Sequence, residues 1–118
     1  MAISRDQLDE IIKGFASRLA SEIPIEEIIL FGSYAHGNSK EHSDIDLAII
    51  SDWFGDKSRI ESMQYLSRAA AHYNTLIEAI PFSVKEYREL DKRTFLARIV
   101  KTGRRYPIHE KKRGQVCY

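Results

Sequence analysis

The 118-residue chain contains a single cysteine, Cys117, next to its last residue. One thiol can form neither an internal disulfide nor a cysteine-rich zinc site, which points to a reducing compartment, the cytoplasm. Six glycines and three prolines are too few for a collagen-like or low-complexity chain. Hydrophobic runs are short as well: Ile28–Phe31 and Leu47–Ile50 reach only four residues each, which excludes a membrane-spanning helix. The first residues lack the apolar stretch of a signal peptide. What is present is 43% hydrophobic and 30% charged, ordinary for one soluble domain with a single core.

Net charge is also nearly absent, at +1, but it is unevenly placed. Residues 1–100 carry −4 and residues 101–118 carry +5. The basic end could touch a nucleic acid or an acidic partner. It could equally be a helix C-terminus favouring cations, followed by a solvated tail. Only two tyrosines, Tyr106 and Tyr118, accompany its six cations, too sparse an interleaving for a single-strand-binding surface, which argues against nucleic acid.

Three Ser-x-x-Gln/Glu capping boxes punctuate the chain. Ser4 with Gln7 opens a helix in which Leu8, Ile11, Ile12, Phe15 and Leu19 recur at helical spacing to about Ser21. Ile28–Phe31 reads as a buried strand, ended by Gly32. Asp44–Ile50 reads as a second, with Ile45, Leu47 and Ile49 on one face and Asp44, Asp46 and Ala48 on the other. Ser58 with Glu61 opens a helix carrying Ile60, Met63, Leu66, Ala70 and Tyr73 on one side and stopping at Asn74. Leu76–Phe82 reads as a third strand, at an edge because Pro81 cannot donate to a ladder. Ser83 with Glu86 opens a last helical region through Phe95, Leu96, Ile99 and Val100, with Gly103 its stop. Alternating strands and helices imply an α/β or α+β domain on a small sheet.

The chemistry concentrates in Gly32-Ser33 and Asp44-Ile45-Asp46. Carboxylates two apart on a strand point the same way, and like charges held together favour a cation between them. Magnesium suits this arrangement, being a hard ion bound by one or two carboxylates plus substrate phosphates. A pair of such ions can assist both the attacking and the leaving oxygen of a phosphoryl transfer. Gly32 allows close approach of a ligand to the backbone, and a helix starting at Ser33 would offer N–H groups and a hydroxyl to a phosphate. A Gly-Ser pair alone is usually only a turn, and an aspartate near a strand start only a cap. Jointly, composition predicts Gly-Ser, ten residues and Asp-x-Asp in roughly one such chain in 600.

These residues resemble the minimal nucleotidyltransferases of the DNA polymerase β superfamily, whose signature has that spacing. Tyr34-Ala35, Gly37 and Ser43 fit the wider pattern, and the resemblance extends over residues 4–108. It implies a mixed sheet flanked by helices in a single domain at 1–108, and the basic residues at 109–118 read by composition as a flexible tail. It further implies ATP or another NTP as donor, a two-ion Mg²⁺ site on Asp44 and Asp46, and Gly32, Ser33 and Ser43 toward the nucleotide. A third carboxylate is expected on a later strand. Glu78 is the candidate, in place of the more usual aspartate, as metal ligand or general base. His36 stands where many relatives carry arginine, in place of that residue's permanent cation and planar fork of donors. Standalone members of this family are typically antitoxins that add AMP to a tyrosine of a HEPN-domain ribonuclease toxin. Two alternatives stay open: a catalytically inactive module neutralising a partner sterically, and a subunit modifying a small molecule of the aminoglycoside type.

Other motifs are excluded. No Gly-rich loop ends in Gly-Lys-Ser/Thr, Asp44–Ala48 lacks the glycine of an EF-hand, and the four histidines show no zinc spacing. Arg104…His109 matches a ribonuclease Arg-x4–6-His pattern, but about one such match is expected by chance. Trp53, Phe54, Tyr65 and Tyr73 read as packing residues in preference to base-stacking ones.

Overall fold

A computed structural model describes residues 3–37, 44–106 and 108. Ser43 and the tail at 109–118 lie outside the described residues. All three capping boxes form. Ser4 accepts from the Gln7 N–H at 3.1 Å while Gln7 accepts from the Ser4 N–H at 2.8 Å, opening helix α1 (Arg5–Ala20). Strand β1 (Glu27–Phe31) leads into a one-turn helix, α2 (Ser33–His36), and then strand β2 (Ile45–Ile50). A 3-10 turn (Asp52–Asp56) precedes helix α3 (Arg59–Tyr73), boxed by Ser58 and Glu61 and ended at Asn74. Strand β3 (Ile77–Phe82) follows, then helices α4 (Val84–Arg88) and α5 (Phe95–Thr102), and strand β4 (Arg104–Tyr106).

The sheet order is β3-β2-β1-β4, with β2 antiparallel to β1, parallel to β3, and β4 antiparallel to β1. It is thus a mixed sheet with helices on both faces. β3 is an edge strand, as Pro81 requires. Ile45, Leu47 and Ile49 join the core beneath α1 and α3, with Ile12, Phe15, Leu19, Leu66 and Ala70. Ala48 and Ile50 lie on the opposite face with Ile29, Phe82, Leu96 and Ile99 under α4 and α5. The alternation expected for β2 therefore holds, and both of its faces are covered beyond Asp46.

Three expectations are corrected. On α3 the buried line is Ser62, Leu66 and Ala70, a strict four-residue row. Ile60 and Met63, expected on that same side, are exposed, whereas Tyr73 is partly exposed with its ring packed against Phe15. The last helical region is two helices, because Asp91 accepts from the Arg93 N–H at 2.9 Å and Thr94 caps α5 through the Ala97 N–H at 3.1 Å. Such local side-chain bonds compete with a continuous helix. Within α5, Phe95 is exposed. Finally, β4 has no counterpart in the sequence reading. Its Tyr106 hydroxyl donates to Asp9 at 2.6 Å and accepts from Arg104 at 2.8 Å, while Arg105 pairs with Glu27 at 3.6 Å. Two cations of the basic C-terminal stretch are thus engaged by acids of α1 and β1.

Trp53 packs against Phe54 and Tyr65, and Tyr73 against Phe15, so the four aromatics assigned to packing do pack. No helix among the described residues is long and apolar enough to cross a membrane.

Gly103 ends α5 where the chain turns against β1. A Cβ there would lie 2.7 Å from the Ile29 side chain and from the carbonyl oxygens of Leu30 and Ile99. Backbone cannot yield as a flexible side chain does, so Gly103→Ala is expected to cost about 1–3 kcal/mol. Urea unfolding should show a lower midpoint at unchanged slope.

Candidate active site

The strand register builds the site. Asp46 faces Phe31 on one side and Glu78 on the other, so the three positions form one row across β1, β2 and β3. Asp44 stands two residues before Asp46, just ahead of β2. Carboxylate oxygens of Asp44, Asp46 and Glu78 come within 4.8 Å of one another. The candidate third carboxylate therefore shares a face with the other two. Asp44 and Glu78 are exposed, and Asp46 is half-buried.

That half-burial and the crowding have an electrostatic consequence. Burial, then the neighbouring Glu78 and Asp44 carboxylates, push the Asp46 carboxyl up from 3.8 to about 6. A set of converging oxygen donors whose ionised forms repel one another fits a hard divalent cation such as Mg²⁺. Nothing among these donors is soft or nitrogenous, which disfavours zinc or copper.

Gly32 sits against this cluster for a specific reason. Its φ of 79° and ψ of −156° lie in a region that is essentially reserved for glycine. A Cβ on it would meet Asp46 Oδ2 at 2.3 Å. The residue thus serves two needs at once: the sharp exit from β1 and an unobstructed Asp46 carboxylate. Ser33 begins α2 immediately afterwards, and buried Tyr34 anchors that turn in the core. His36 is exposed at the end of α2. The structure thus brings together Asp44, Asp46, Glu78 and Gly32, with Ser33 next in the chain.

On the far side of Glu78 from Gly32 runs a groove of about 400 Å³ between α3 and the edge strand β3. Asp44 and Glu78 line one end of it, and Met63, Ser67, Ala71 and Ala79 line the rest. No pattern in the sequence signals this groove, because the exposure of Met63 runs against its helical spacing.

A four-stranded mixed sheet with helices on both faces, a glycine-serine turn at the end of β1 and carboxylates on β2 and β3 make up the arrangement of the nucleotidyltransferase fold. The model of the polymerase beta nucleotidyltransferase family matches residues 12–112, and the chain belongs to that family. A relative from Methanocaldococcus jannaschii, provisionally named a protein adenylyltransferase, is 32% identical over 98 residues, covering 81% of this chain and 94% of that protein. Among solved structures, a provisionally assigned nucleotidyltransferase from Sulfolobus solfataricus shares the fold with a TM-score of 0.59 at 23% identity, over 73% of this chain and 76% of that one. Another provisionally assigned nucleotidyltransferase has a TM-score of 0.50 at 25% identity, over 83% and 96%.

Two predictions follow from the crowding at Asp46. Its folded-state pKa lies above the unfolded value, so the protein without metal binds the extra proton between about pH 6 and 3.8 and is less stable above that window. Asp46→Asn should raise the metal-free Tm by a few degrees at pH 7, a gain that shrinks toward pH 4. Solvent screening of this half-buried group limits the effect to on the order of 1 kcal/mol. Gly32→Ala should act oppositely, losing about 1–3 kcal/mol to backbone strain. Thermal unfolding across pH in the presence of a chelator checks both.

Proposed function

We propose that this chain transfers AMP from ATP to a hydroxyl of a partner protein, with Mg²⁺ held by Asp44, Asp46 and Glu78. The observation that best supports this is the convergence of those three carboxylates beside Gly32. In the balanced reaction the acceptor oxygen bonds to the α-phosphorus. The bond from that phosphorus to the bridging oxygen breaks, pyrophosphate leaves, and the hydroxyl proton passes to a base. Magnesium, when bound, would neutralise phosphate charge and favour ionisation of the attacking hydroxyl.

The chain's own groups divide the remaining work. Gly32 leaves the turn bare so that phosphate oxygens can approach, and the Ser33 hydroxyl and N–H offer them donors. Ser43 is assigned to the nucleotide by family resemblance alone. Glu78 is exposed on the side of Asp46 away from Gly32, the side from which the acceptor comes, and it completes the metal set or takes the hydroxyl proton. The groove along α3 and β3 lies at the small end of the range for ligand pockets. That favours an acceptor carried on a protein surface over an enclosed small molecule such as an aminoglycoside.

The name of the Methanocaldococcus jannaschii relative, a protein adenylyltransferase, supports the same class of acceptor. The resemblance to standalone minimal nucleotidyltransferases supports a more specific reading. The acceptor is a tyrosine of a HEPN-type ribonuclease toxin in the cytoplasm, and this chain is its antitoxin. Glu78 standing with both aspartates supports an enzyme over a purely steric binder.

Incubation of the partner with this chain, Mg²⁺ and ATP should add the mass of AMP to a partner tyrosine, read by mass spectrometry. Asp44→Asn and Asp46→Asn should abolish the addition, and Glu78→Gln should slow it by at least about 100-fold. Ser33→Ala should weaken ATP binding by about 1–2 kcal/mol. A tight complex without modification under any NTP would instead establish the steric antitoxin.

A further inference from the structure

Phe95 opens α5 with its side chain 52% exposed. Of the exposed large hydrophobics among the described residues, Ile60, Met63 and Tyr73 belong to α3, and Phe95 alone stands on the α4–α5 side. Its ring centroid lies 5.6 Å from that of Phe31, with the planes at 87°. A perpendicular contact engages at most one face of the Phe95 ring.

Phe31 is the link to the site. It is the last residue of β1, joined to Gly32 by a peptide bond, and it is the register partner of Asp46. Residues directly opposite in an antiparallel pair share a face, with Cβ atoms about 4.5–5.5 Å apart. Phe31 accordingly packs with the cluster under α4 and α5, on the side that carries Asp46. Phe95 lies one ring beyond Phe31 as counted from Asp46. A cavity of about 360 Å³ adjoins it, lined by Lys85, Thr94 and Leu96 and by the acidic residues Glu86, Glu89 and Asp91.

We propose that Phe95, in perpendicular contact with Phe31, is the platform on which the nucleobase of the bound nucleotide stacks. This rests on the nucleotidyltransferase reading and adds a base contact to its phosphate and metal contacts. With phosphates at Gly32 and Ser33, a ribose reaching across Phe31 delivers the base to Phe95. The sidedness agrees with the rest of the site, since Glu78, proposed to face the acceptor, lies across β2 from Phe31 on the opposite flank of Asp46. A stacking face attracts any base, so Phe95 contributes affinity more than base choice.

Calorimetric titration of the full chain with Mg²⁺-ATP and with Mg²⁺-tripolyphosphate separates the base from the phosphates. Phe95→Ala should weaken ATP by about 5- to 100-fold while changing tripolyphosphate by less than about twofold. Phe95→Trp should bind ATP at least as tightly as wild type and guards against a folding defect. Phe95→Ala binding ATP like wild type, or losing both ligands equally, overturns the platform alone. A wild type that binds neither ligand overturns the platform together with the nucleotide reading beneath it.

Discussion

The site depends on the register of β2 between its two neighbours. Asp46 is useful only because it faces Phe31 across one ladder and Glu78 across the other. A slip of one residue would turn Asp46 into the core under α1 and α3 and lift Ile45 and Leu47 out of it. Those isoleucines and leucines, fully buried, hold the register. Core formation and assembly of the carboxylate row are therefore one event, and the site needs no separate loop to position it.

That assembly carries an electrostatic cost. Three carboxylates converge where one of them is half-buried, and Asp46 resists ionisation as a result. Gly32 avoids a second cost, since its backbone conformation would strain any residue with a side chain. The first cost falls at the residues assigned to the metal, where a cation would relieve it. Stability surrendered at a working site is a common trade.

Much of this was legible in the sequence because local rules act alone there. Capping boxes depend on residues three apart, and all three formed. The period-two pattern of β2 placed Asp44 and Asp46 on one face. Pro81 marked β3 as an edge. What was illegible required tertiary context. β4 is three residues long, two of them arginine, and it exists because Asp9 and Glu27 receive those cations and Tyr106 fills the core. Ile60, Met63 and Phe95 have core-like identities, and only packing shows that their helices turn them outward. Gly32 was legible as a turn, whereas the contact it spares with Asp46 was not. Glu78 was a candidate by residue type, and the parallel pairing of β3 with β2 carried it to Asp46.

The resulting site has two flanks about Asp46: Gly32, Ser33, Phe31 and Phe95 on one, Glu78 and the α3–β3 groove on the other. Its central claim is that the carboxylate row is a divalent cation site. Titration of the isotopically labelled full chain with Mn²⁺ and a non-hydrolysable ATP analogue, followed by amide NMR, locates the ion through its paramagnetic broadening. The account predicts that Gly32, Asp44, Asp46 and Glu78 broaden first, and that Asp46→Asn removes the effect at the same metal concentration. Broadening that starts elsewhere, as around the exposed Asp52 and Asp56, and persists unchanged in Asp46→Asn would contradict it.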